Sequence, residues 1–400
     1  MVTAGSSSEL IEVAEGRVRL FTYDLSRYRR LNGVYEPAWL PVFYNPAAVL
    51  SRDFSILVAS TLDLRESIVL DALSGTGVRA LRYCSEVSNI SKCFANDIDT
   101  RAYELIVKNI ALNNLQDRVE ALNDDANVVM YKLKKSGVRV DLIDIDPYGS
   151  PAPFIRAASW GVRSGGYIGI TSTDLASLSG VRPLTGSRRY WCSLTLTDVP
   201  RLIALHVLVG YAARVAAELD RYIEPLTYII GGFFVRVFYR IRRGARKADS
   251  MLSKSMGYLK YCGVCGFREF SRQIEEIRCS MCGSRISYVG PLWIDGLVNQ
   301  EYIEKARRSL AVYTYISSHN QLSKLFECQT TEIVDRPLAP YDIVQLSSRL
   351  KVSSPKIEKV VNCLKSLGCK TVRYCGVTTA IGTDCSYIDV ISCVKQLTST

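Results

Sequence analysis

The residues best suited to chemistry form the stretch Asp144-Ile145-Asp146-Pro147-Tyr148-Gly149, which follows an apolar run typical of a buried strand. The Asp146 carboxylate can accept hydrogen bonds, Pro147 fixes the turn and the direction of its carbonyl, and Tyr148 offers a flat face for stacking. Such a set suits a planar ring that carries an exocyclic amine. A strand-end turn with a buried tyrosine has the same pattern, so the motif needs support from elsewhere in the chain.

A glycine-bearing turn lies upstream, at residues 71–80 with the sequence Asp-Ala-Leu-Ser-Gly-Thr-Gly-Val-Arg-Ala. Glycines let the backbone approach a ligand, and the N-terminus of the helix that follows attracts an anionic group. Asp97 closes the next predicted strand 20 residues after Gly77, where an acidic side chain can bind ribose hydroxyls. Gly75, Gly77 and Ala80 also fit a dinucleotide fingerprint, so this turn alone is compatible with a nicotinamide cofactor.

A third polar element, Asp124-Asp125-Ala126, ends the following strand, where a carboxylate and a backbone amide could read the edge of an adenine. S-adenosylmethionine needs such a set, because amides can bind its carboxylate, an acid its ribose and a polar pair its adenine. Together with Asp146-Pro147-Tyr148, the set favours methyl transfer to an amine over hydride transfer. Arg52 and Arg79 could pair with the carboxylate of that cofactor.

Four cysteines share the spacing of a metal site, Cys-x2-Cys-x13-Cys-x2-Cys: Cys262, Cys265, Cys279 and Cys282. Each pair can occupy one knuckle, and Gly266 and Gly283 beside the pairs suit tight turns. Four thiolates complete a tetrahedron around zinc with no open position, so a structural zinc site is expected rather than four unliganded core cysteines. The other nine cysteines lack such spacing and are expected to be reduced and buried: 84, 93, 192, 328, 363, 369, 375, 385 and 393.

The 400-residue chain is long enough for two or three domains with a substantial core. Its formal charge of +11 and pI near 9.0 favour a polyanionic partner such as nucleic acid. The most apolar long segment, residues 202–219, contains His206, Arg214 and Glu218 and is predicted to be a core helix rather than a membrane span. Met1–Ser8 lack the features of a secretion signal, and the cysteine usage favours reduced thiols, so a cytoplasmic location is expected.

Alternating strands and helices must position these residues. The apolar pattern predicts strands at 67–73, 92–97, 119–122, 140–145 and 166–171, and helices at 78–86, 100–112, 127–135 and 151–158. Such alternation implies a doubly wound parallel sheet of the α/β class, whose ligands bind at the carboxyl ends of the strands. Asp97, Asp125 and Asp146 are all predicted to lie at that edge.

The second half of the chain has a different pattern. A long helix is predicted at 199–222, followed by β-rich runs at 226–230 and 233–241. A basic run then marks the end of the domain: Arg240, Arg242, Arg243, Arg246 and Lys247. Beyond Asn320, helices at 341–350 and 355–367 precede β-like runs around Val372 and Val390, an order that resembles a winged helix.

Several stretches stand in the order in which they occur in a known family: Val42 to Pro46, Arg52-Asp53, Asp71 to Arg79, Asn96 to Ile98, Asp124 to Asn127, Asp144 to Pro151, Gly244 to Lys247 and Gly290 to Trp293. Over most of its first 300 residues, and more loosely in the tail, the chain resembles the tRNA (guanine-26-N2)-dimethyltransferases of archaea and eukaryotes. The resemblance implies a class I (Rossmann-like) methyltransferase domain at 1–245. It also implies a C-terminal tRNA-binding region of the α+β type. The cysteine spacing places a zinc-ribbon segment at 246–300, although not every member of the family carries these cysteines, and the pattern of the tail predicts a winged-helix-like segment at 301–400.

The resemblance also implies a role for each candidate residue. S-adenosylmethionine would be bound by Arg52, Arg79, Asp97, Asp125 and Ala126. Asp146 and Pro147 would hold the guanine amine, while Phe43 and Tyr148 would sandwich the base. Tyr148 stands where the family usually has phenylalanine, and Ser51 where it usually has asparagine.

The expected reaction transfers one or two methyl groups to N2 of guanine 26 in tRNA, with no membrane and no obligate protein partner. An amino-methyltransferase for another RNA position, or for adenine N6, is an alternative, because Asp-Pro-aromatic turns serve amines generally. A non-catalytic RNA-binding protein with a zinc ribbon and a winged helix is a second alternative. Cofactor binding separates this binder from the enzymes, because a pure binder has no use for Asp97 and Asp125.

Overall fold

A computed structural model describes residues 10–30, 33, 35–63, 65–333 and 338–398. Met1–Ser8, where no secretion signal is predicted, lie outside the described residues. The strands are β1 (Leu10–Glu15), β2 (Val18–Tyr23), β3 (Ser67–Asp71), β4 (Ile90–Asn96), β5 (Val119–Leu122), β6 (Leu142–Ile145), β7 (Gly166–Ser172), β8 (Arg221–Ile230), β9 (Val235–Arg243), β10 (Met256–Tyr261), β11 (Arg268–Ser271), β12 (Ser287–Trp293), β13 (Ala339–Asp342), β14 (Thr371–Arg373) and β15 (Ala380–Thr383). The α-helices are α1 (Val49–Thr61), α2 (Val78–Glu86), α3 (Thr100–Leu112), α4 (Ala126–Lys135), α5 (Ala152–Gly161), α6 (Leu175–Leu178), α7 (Pro183–Tyr190), α8 (Pro200–Ala217), α9 (Ala245–Ser255), α10 (Gln300–Leu310), α11 (His319–Gln329), α12 (Ile343–Leu350), α13 (Ile357–Ser366) and α14 (Tyr387–Gln396).

The central sheet of the described chain has the strand order β5-β4-β3-β6-β7-β9-β8. β3 to β7 run parallel, whereas β9 lies antiparallel between β7 and β8. Residues of α1, α2 and α3 pack in the core on one face, and residues of α4, α5 and α8 pack in the core on the other. The predicted α/β class with a mostly parallel sheet is confirmed, and an antiparallel pair extends the sheet.

The middle strands of the sheet explain why the sequence adopts this arrangement. β6 and β7 are buried along their whole length, and β3 almost so, which suits continuous apolar runs covered by helices on both faces. The strands β3 and β6 are neighbours in the sheet, and from them the chain winds outward in opposite directions. A crevice forms at such a switch point, outside the carboxyl ends of the strands.

Two element boundaries differ from the prediction. The long helix ends at Ala217 rather than at Tyr222, because the chain turns through a left-handed residue, Asp220 (φ 55°), and enters β8. The run around Val390 is helical and not β-like, since it lies within α14 and its buried residues repeat at helical spacing.

Helix α8 is long and apolar enough, by length and composition, to cross a membrane. Of this segment, 72% is buried inside the protein. Its His206 is buried as well, with Nδ1 2.6 Å from the carbonyl oxygen of Trp293. These contacts agree with the prediction of a core helix.

The segment after residue 300 packs closely on the sheet domain. In α10, the Tyr302 hydroxyl donates to the carbonyl of Val58 at 3.2 Å, and the backbone N–H of Ser318, just before α11, donates to Asp53 at 2.9 Å. Beyond these helices, the sheet β13-β15-β14 is antiparallel and carries α12, α13 and α14. The predicted boundaries at 245 and 300 and the winged-helix reading stay predictions.

The expectation of reduced cysteines is correct only in part. Cys84, Cys93 and Cys192 are buried and form no disulfide, and Cys84 Sγ lies 2.7 Å from Cys93 Sγ. The prediction is wrong for six others, which form disulfides: Cys328–Cys375, Cys363–Cys393 and Cys369–Cys385. Linear spacing does not reveal such pairs, because they join elements that meet only in the fold. Cys363–Cys393 joins α13 to α14, Cys369–Cys385 lies beside the paired strands β14 and β15, and Cys328–Cys375 joins α11 to the segment after β14.

Candidate active site

The turn after β3 forms one wall of a cleft at the carboxyl edge of the sheet. Gly75 and Gly77 adopt left-handed backbone conformations, with φ of 53° and 80°. A Cβ atom at Gly75 would lie 2.8 Å from the carbonyl oxygen of Phe43, so a side chain there would push the turn away from that segment. Helix α2 begins at Val78, which places a helix N-terminus at the cleft.

Asp97 lies beside this turn, at the end of β4. One carboxylate oxygen accepts a hydrogen bond from the Gly75 N–H at 2.8 Å, and the other accepts one from the Asp99 N–H at 3.0 Å. A carboxylate offers about four lone pairs, so roughly two are left for a ligand. Asp97 is therefore fixed in place and still able to bind hydroxyl groups.

Asp125 lies at the N-terminus of α4, after the next strand along the sheet. Its Oδ1 caps the helix by accepting hydrogen bonds from the Asn127 N–H at 2.8 Å and the Val128 N–H at 3.2 Å. Its neighbour Asp124 instead pairs with Lys132 at 2.6 Å. The second oxygen of Asp125 and the helix N-terminus at Ala126 are therefore the groups placed to contact a polar ring edge.

Asp146 forms an ion pair with the Arg79 guanidinium, which the sequence did not predict. Arg79 is buried and also donates to Ser55 Oγ at 2.6 Å. Only Oδ2 of Asp146 is used by Arg79, so Oδ1 is left to accept a hydrogen bond from an amine. The contact of Arg79 with a cofactor carboxylate stays a prediction, because here the guanidinium is engaged with Asp146.

A fully buried carboxylate, Asp144, supports this ion pair from below. Its Oδ2 accepts hydrogen bonds from the Tyr83 hydroxyl and from Arg236, both at 2.5 Å, and lies 3.8 Å from Arg79 Nε. Burial acts to raise the pKa of the Asp144 carboxyl, but the charges of Arg236 and Arg79 outweigh it and hold the pKa below its usual range. Asp144 therefore stays ionised and anchors Arg79 against Asp146.

Asp71, at the end of β3, is a second buried acid at the cleft. Burial and the nearby charge of Asp144 raise the pKa of Asp71 to about 7. Its Oδ2 has no hydrogen-bond partner among the residues that the structure describes. A ligand that brings a donor into the cleft can satisfy this oxygen.

Arg52 lines the cleft, but its guanidinium is held from behind by Glu15. The two form a bidentate pair with distances of 2.6 and 2.5 Å, and both are buried. Glu15 also contacts Arg82 at 3.0 Å, and Arg82 in turn contacts Asp53 at 2.7 Å and Glu86 at 2.8 Å. The structure thus gives Arg52 a part in a buried charge network, and its contact with a cofactor stays a prediction.

Phe43 and Tyr148 contact each other above the cleft and are 44% and 77% exposed. Their role in holding a base stays a prediction. Their ring centroids lie 6.1 Å apart, with an angle of 64° between the planes. A base held between two parallel rings needs a separation of roughly 7 Å, twice the usual contact distance. The two rings must therefore rotate before they can sandwich a base.

The four predicted metal ligands come together on two knuckles beside β10. Their sulfur atoms all lie within 4.8 Å of one another, and both Cys262–Cys282 and Cys265–Cys279 are 3.6 Å apart. Zinc–sulfur bonds of about 2.3 Å in a tetrahedron require sulfur separations of roughly 3.8 Å. Gly266 and Gly283 adopt φ of 87° and 71°, which confirms the predicted tight turns.

The sequence analysis missed the residues that support the site: Glu15, Asp53, Tyr83, Arg82, Glu86 and Arg236. Each contacts a partner on another element, and Arg236 and Asp144 are 92 positions apart. One sequence feature could have pointed to these residues: a charged residue inside an apolar run, such as Arg236 in β9. A charged residue at a predicted core position requires a partner, although the sequence does not name it.

Comparisons with known proteins identify a family that matches most of the chain. The family described as N2,N2-dimethylguanosine tRNA methyltransferase matches residues 31–395. Two relatives carry the name tRNA (guanine(26)-N(2))-dimethyltransferase. The one from Saccharolobus solfataricus is 35% identical over 97% of this chain and 100% of its own length. The one from Sulfolobus acidocaldarius is 31% identical over 98% of each chain. The solved structure of Trm1 from Pyrococcus horikoshii with S-adenosyl-L-methionine is similar with a TM-score of 0.82 and 28% identity, over 96% of this chain and 100% of that one.

Proposed function

The chain belongs to the N2,N2-dimethylguanosine tRNA methyltransferase family, and from that premise we propose that it methylates N2 of guanine 26 in tRNA with S-adenosylmethionine as the methyl donor. One observation carries the proposal beyond the family match. The Gly75 turn, Asp97, Asp125 and the Asp146-Pro147-Tyr148 turn follow four neighbouring strands and meet at one edge of the sheet. No observation favours adenine N6 or another acceptor.

The residues of the cleft fit S-adenosylmethionine. The partnerless Asp71 Oδ2 can accept a hydrogen bond from its ammonium group, and the N-terminus of α2 attracts its carboxylate. Asp97 has lone pairs left for the ribose hydroxyls, and Asp125 and Ala126 stand at the adenine side. The cofactor supplies an electrophilic methyl group on its sulfonium.

The acceptor amine is a poor nucleophile, so its position and its developing charge decide the rate. The free oxygen of Asp146 and the Pro147 carbonyl accept hydrogen bonds from the two N–H groups of guanine N2. These hydrogen bonds direct the nitrogen lone pair towards the methyl group. Both oxygens also stabilise the positive charge that develops on the nitrogen. As the N–C bond formed, the S–C bond of the cofactor would break and S-adenosylhomocysteine would leave, and the Asp146 carboxylate is the group placed to take the proton that the nitrogen loses. Arg79, anchored by Asp144, fixes the carboxylate of Asp146 in this orientation.

The target base must first leave the stacked interior of the tRNA, at a cost of a few kcal/mol. Phe43 and Tyr148 lie exposed at the mouth of the cleft and offer the ring faces that replace this stacking. After one transfer a single N–H remains, so a second transfer requires the methylated amine to turn within the same contacts.

The decisive experiment is methylation of a tRNA transcript with guanine at position 26. We expect incorporation of labelled methyl groups, and mass spectrometry of the nucleosides should find N2-methylated and N2,N2-dimethylated guanosine. A transcript with adenine at position 26 serves as the control. Equal incorporation into both transcripts, or into duplex DNA, would refute the proposed acceptor.

Cofactor binding should depend on Asp97. In the Asp97→Ala variant the ribose hydroxyls lose charge-assisted hydrogen bonds worth roughly 1.5–3 kcal/mol each. Calorimetry with S-adenosylmethionine should therefore record a dissociation constant at least about tenfold higher than that of the wild type. Unchanged affinity would contradict the assignment of Asp97 to the ribose.

The four-cysteine cluster is proposed to hold one structural zinc ion, because its geometry leaves no position for a substrate. We expect about one zinc per chain by metal analysis, and a lower melting temperature for Cys279→Ser with nearly unchanged cofactor affinity. Cys192→Ser, at a buried cysteine outside the cluster, is the control and should retain the metal. Full stability of the metal-free wild type would contradict a structural role.

The remaining parts of the proposal concern the tail and the location of the protein. The segment 246–300 would form the zinc ribbon, and residues 301–400 would provide a winged-helix-like surface for tRNA. A cytoplasmic location fits an enzyme that acts on tRNA. The cysteine usage no longer supports this location, since six of the cysteines form disulfides.

A further inference from the structure

A dense group of cations lies at the amino edge of the sheet, opposite the candidate active site. We call it the basic surface, and its members are Lys134, Lys135, Arg139, Arg243 and Arg246. Lys134 and Lys135 end α4, and Arg139 precedes β6. Arg243 ends the antiparallel strand β9, and Arg246 lies in the first turn of α9. Because β9 runs against β7, its last residues lie beside the first residue of β7, Gly166.

Backbone hydrogen bonds hold these segments together. The loop that follows α5 connects two of them, because the Arg163 N–H donates to the Val140 carbonyl and Ser164 Oγ accepts from the Arg243 N–H, both at 3.0 Å. Arg221 pairs with Arg243 in the β8–β9 register. The backbone segments that carry Arg139 and Arg243 are therefore held in a fixed arrangement.

The positive charge of this surface is not neutralised. None of its five members forms an ion pair with any residue of the described chain. Two nearby acids are already used, since Asp141 pairs with Arg163 and Glu224 pairs with Arg242. Asp220 and Asp249 also lie close to the surface, but neither forms an ion pair within the described residues. Such crowding of like charges opposes folding, so a protein that retains it gains most when a polyanion binds.

Buried and neighbouring charges add to this crowding. Arg221 is buried beneath the surface, where its guanidinium donates to the Val162 carbonyl at 3.0 Å rather than to a carboxylate. Burial, followed by the charges of Arg221, Arg243 and Arg139, lowers the pKa of Lys134. An arriving phosphate would relieve this repulsion.

An open groove links the basic surface to the catalytic edge. It has a volume of about 650 Å³ and follows α4, from Asp124 at the carboxyl end of β5 to Lys135 and Ser136 at the end of the helix. β7 has seven residues, so the two edges are about 20 Å apart at 3.3 Å per residue. This distance is shorter than the length of ~16 base pairs of RNA duplex, which is what one double-stranded RNA-binding domain spans. One tRNA arm can therefore reach from the basic surface to the catalytic edge.

We propose that the basic surface binds the phosphate backbone of a helical arm of the substrate tRNA while the target base occupies the catalytic edge. The inference rests on the proposed function, because it needs a tRNA whose guanine reaches Asp146. It assigns tRNA contacts to the methyltransferase sheet, in addition to the tail. These contacts position the RNA and carry no sequence information.

The test compares three charge reversals of equal size. Arg139→Glu and Arg243→Glu change the basic surface, whereas Lys108→Glu changes an exposed lysine of α3, on the other face of the sheet. Binding of the guanine-26 tRNA transcript is measured from about 50 to 200 mM KCl. We expect Arg139→Glu and Arg243→Glu each to weaken binding roughly tenfold near 0.1 M salt and to reduce the salt slope by about 1.

Lys108→Glu should leave both quantities unchanged, and all three variants should keep wild-type affinity for S-adenosylmethionine and wild-type melting temperatures. At saturating tRNA the methylation rate should also stay unchanged, since these residues lie far from the reacting amine. Equal losses for all three variants, or no loss for Arg139→Glu and Arg243→Glu, would overturn the inference. A wild-type protein that does not methylate guanine 26 would instead overturn the proposed function, independently of these comparisons.

Discussion

Asp146→Asn is expected to slow methyl transfer about 10²- to 10³-fold, the scale for the loss of one preorganised electrostatic contact. The amide oxygen can still accept the hydrogen bond of Arg79, so the amide NH2 group then faces the guanine amine. Two donors cannot bind each other, and the positive charge on the nitrogen loses its carboxylate. Single-turnover methylation of the guanine-26 transcript measures this effect.

Cofactor affinity should change little in Asp146→Asn, because this residue addresses the acceptor base. Tyr148, two positions further along the same turn, provides the matched control. Tyr148→Phe keeps the ring and should stay within several-fold of the wild-type rate, whereas Tyr148→Ala should lose ~1–3 kcal/mol of base stacking. A near-normal rate for Asp146→Asn, or equal losses for the two Tyr148 variants, would mean that this turn does not hold the base.

Arg82→Met should lower the free energy of unfolding by roughly 3–5 kcal/mol, the cost of removing one partner from a buried ion pair. Arg82 is fully buried and contacts Glu15, Asp53 and Glu86. Without it, three carboxylates lie close together with too few cations. Denaturant unfolding at neutral pH tests this expectation.

The matched control is Arg156→Met, which removes an arginine paired with Glu218 where both side chains are more than half exposed. Exposed pairs contribute up to about 1 kcal/mol, so this variant should stay close to the wild type. Equal losses for the two variants would contradict the importance of burial.

The effect of Arg82→Met should also depend on pH. Burial acts to raise the pKa of Glu15, but Arg52 and Arg82 outweigh it and lower the pKa from its ordinary value of 4.5 to about 2. A carboxyl with a lowered pKa stabilises the fold above pH 4.5 and loses this contribution as the pH falls to 2. The difference between wild type and variant should therefore narrow across that range.

The sequence predicted the alternating elements well because the middle strands are uninterrupted apolar runs between recognisable helices. It also placed Asp97, Asp125 and Asp146 at one edge, because the ends of parallel strands meet there whatever the details of packing. The four metal-type cysteines were found for a similar reason, since both pairs are local and their glycines require turns.

The partners of the long charged side chains were not predictable. The ion pair of Arg79 with Asp146, which is 67 positions away, was not foreseen, while its predicted contact with the cofactor stays a prediction. The pairing of Arg52 with Glu15 on the N-terminal hairpin was not foreseen either, and its predicted contact with the cofactor also stays a prediction. Helical periodicity places the start of such a side chain but not the direction of its guanidinium, which depends on elements that come together only in the fold.

The three disulfides of the tail overlap along the chain, which has a consequence for its covalent connectivity. Cys328–Cys375 shares residues with the loop closed by Cys363–Cys393, and that loop encloses Cys369–Cys385. Every peptide bond from Cys328 to Cys393 therefore lies inside at least one closed loop. A protease that cuts this stretch once should release no fragment on a non-reducing gel, and the two pieces should separate only after a reductant is added.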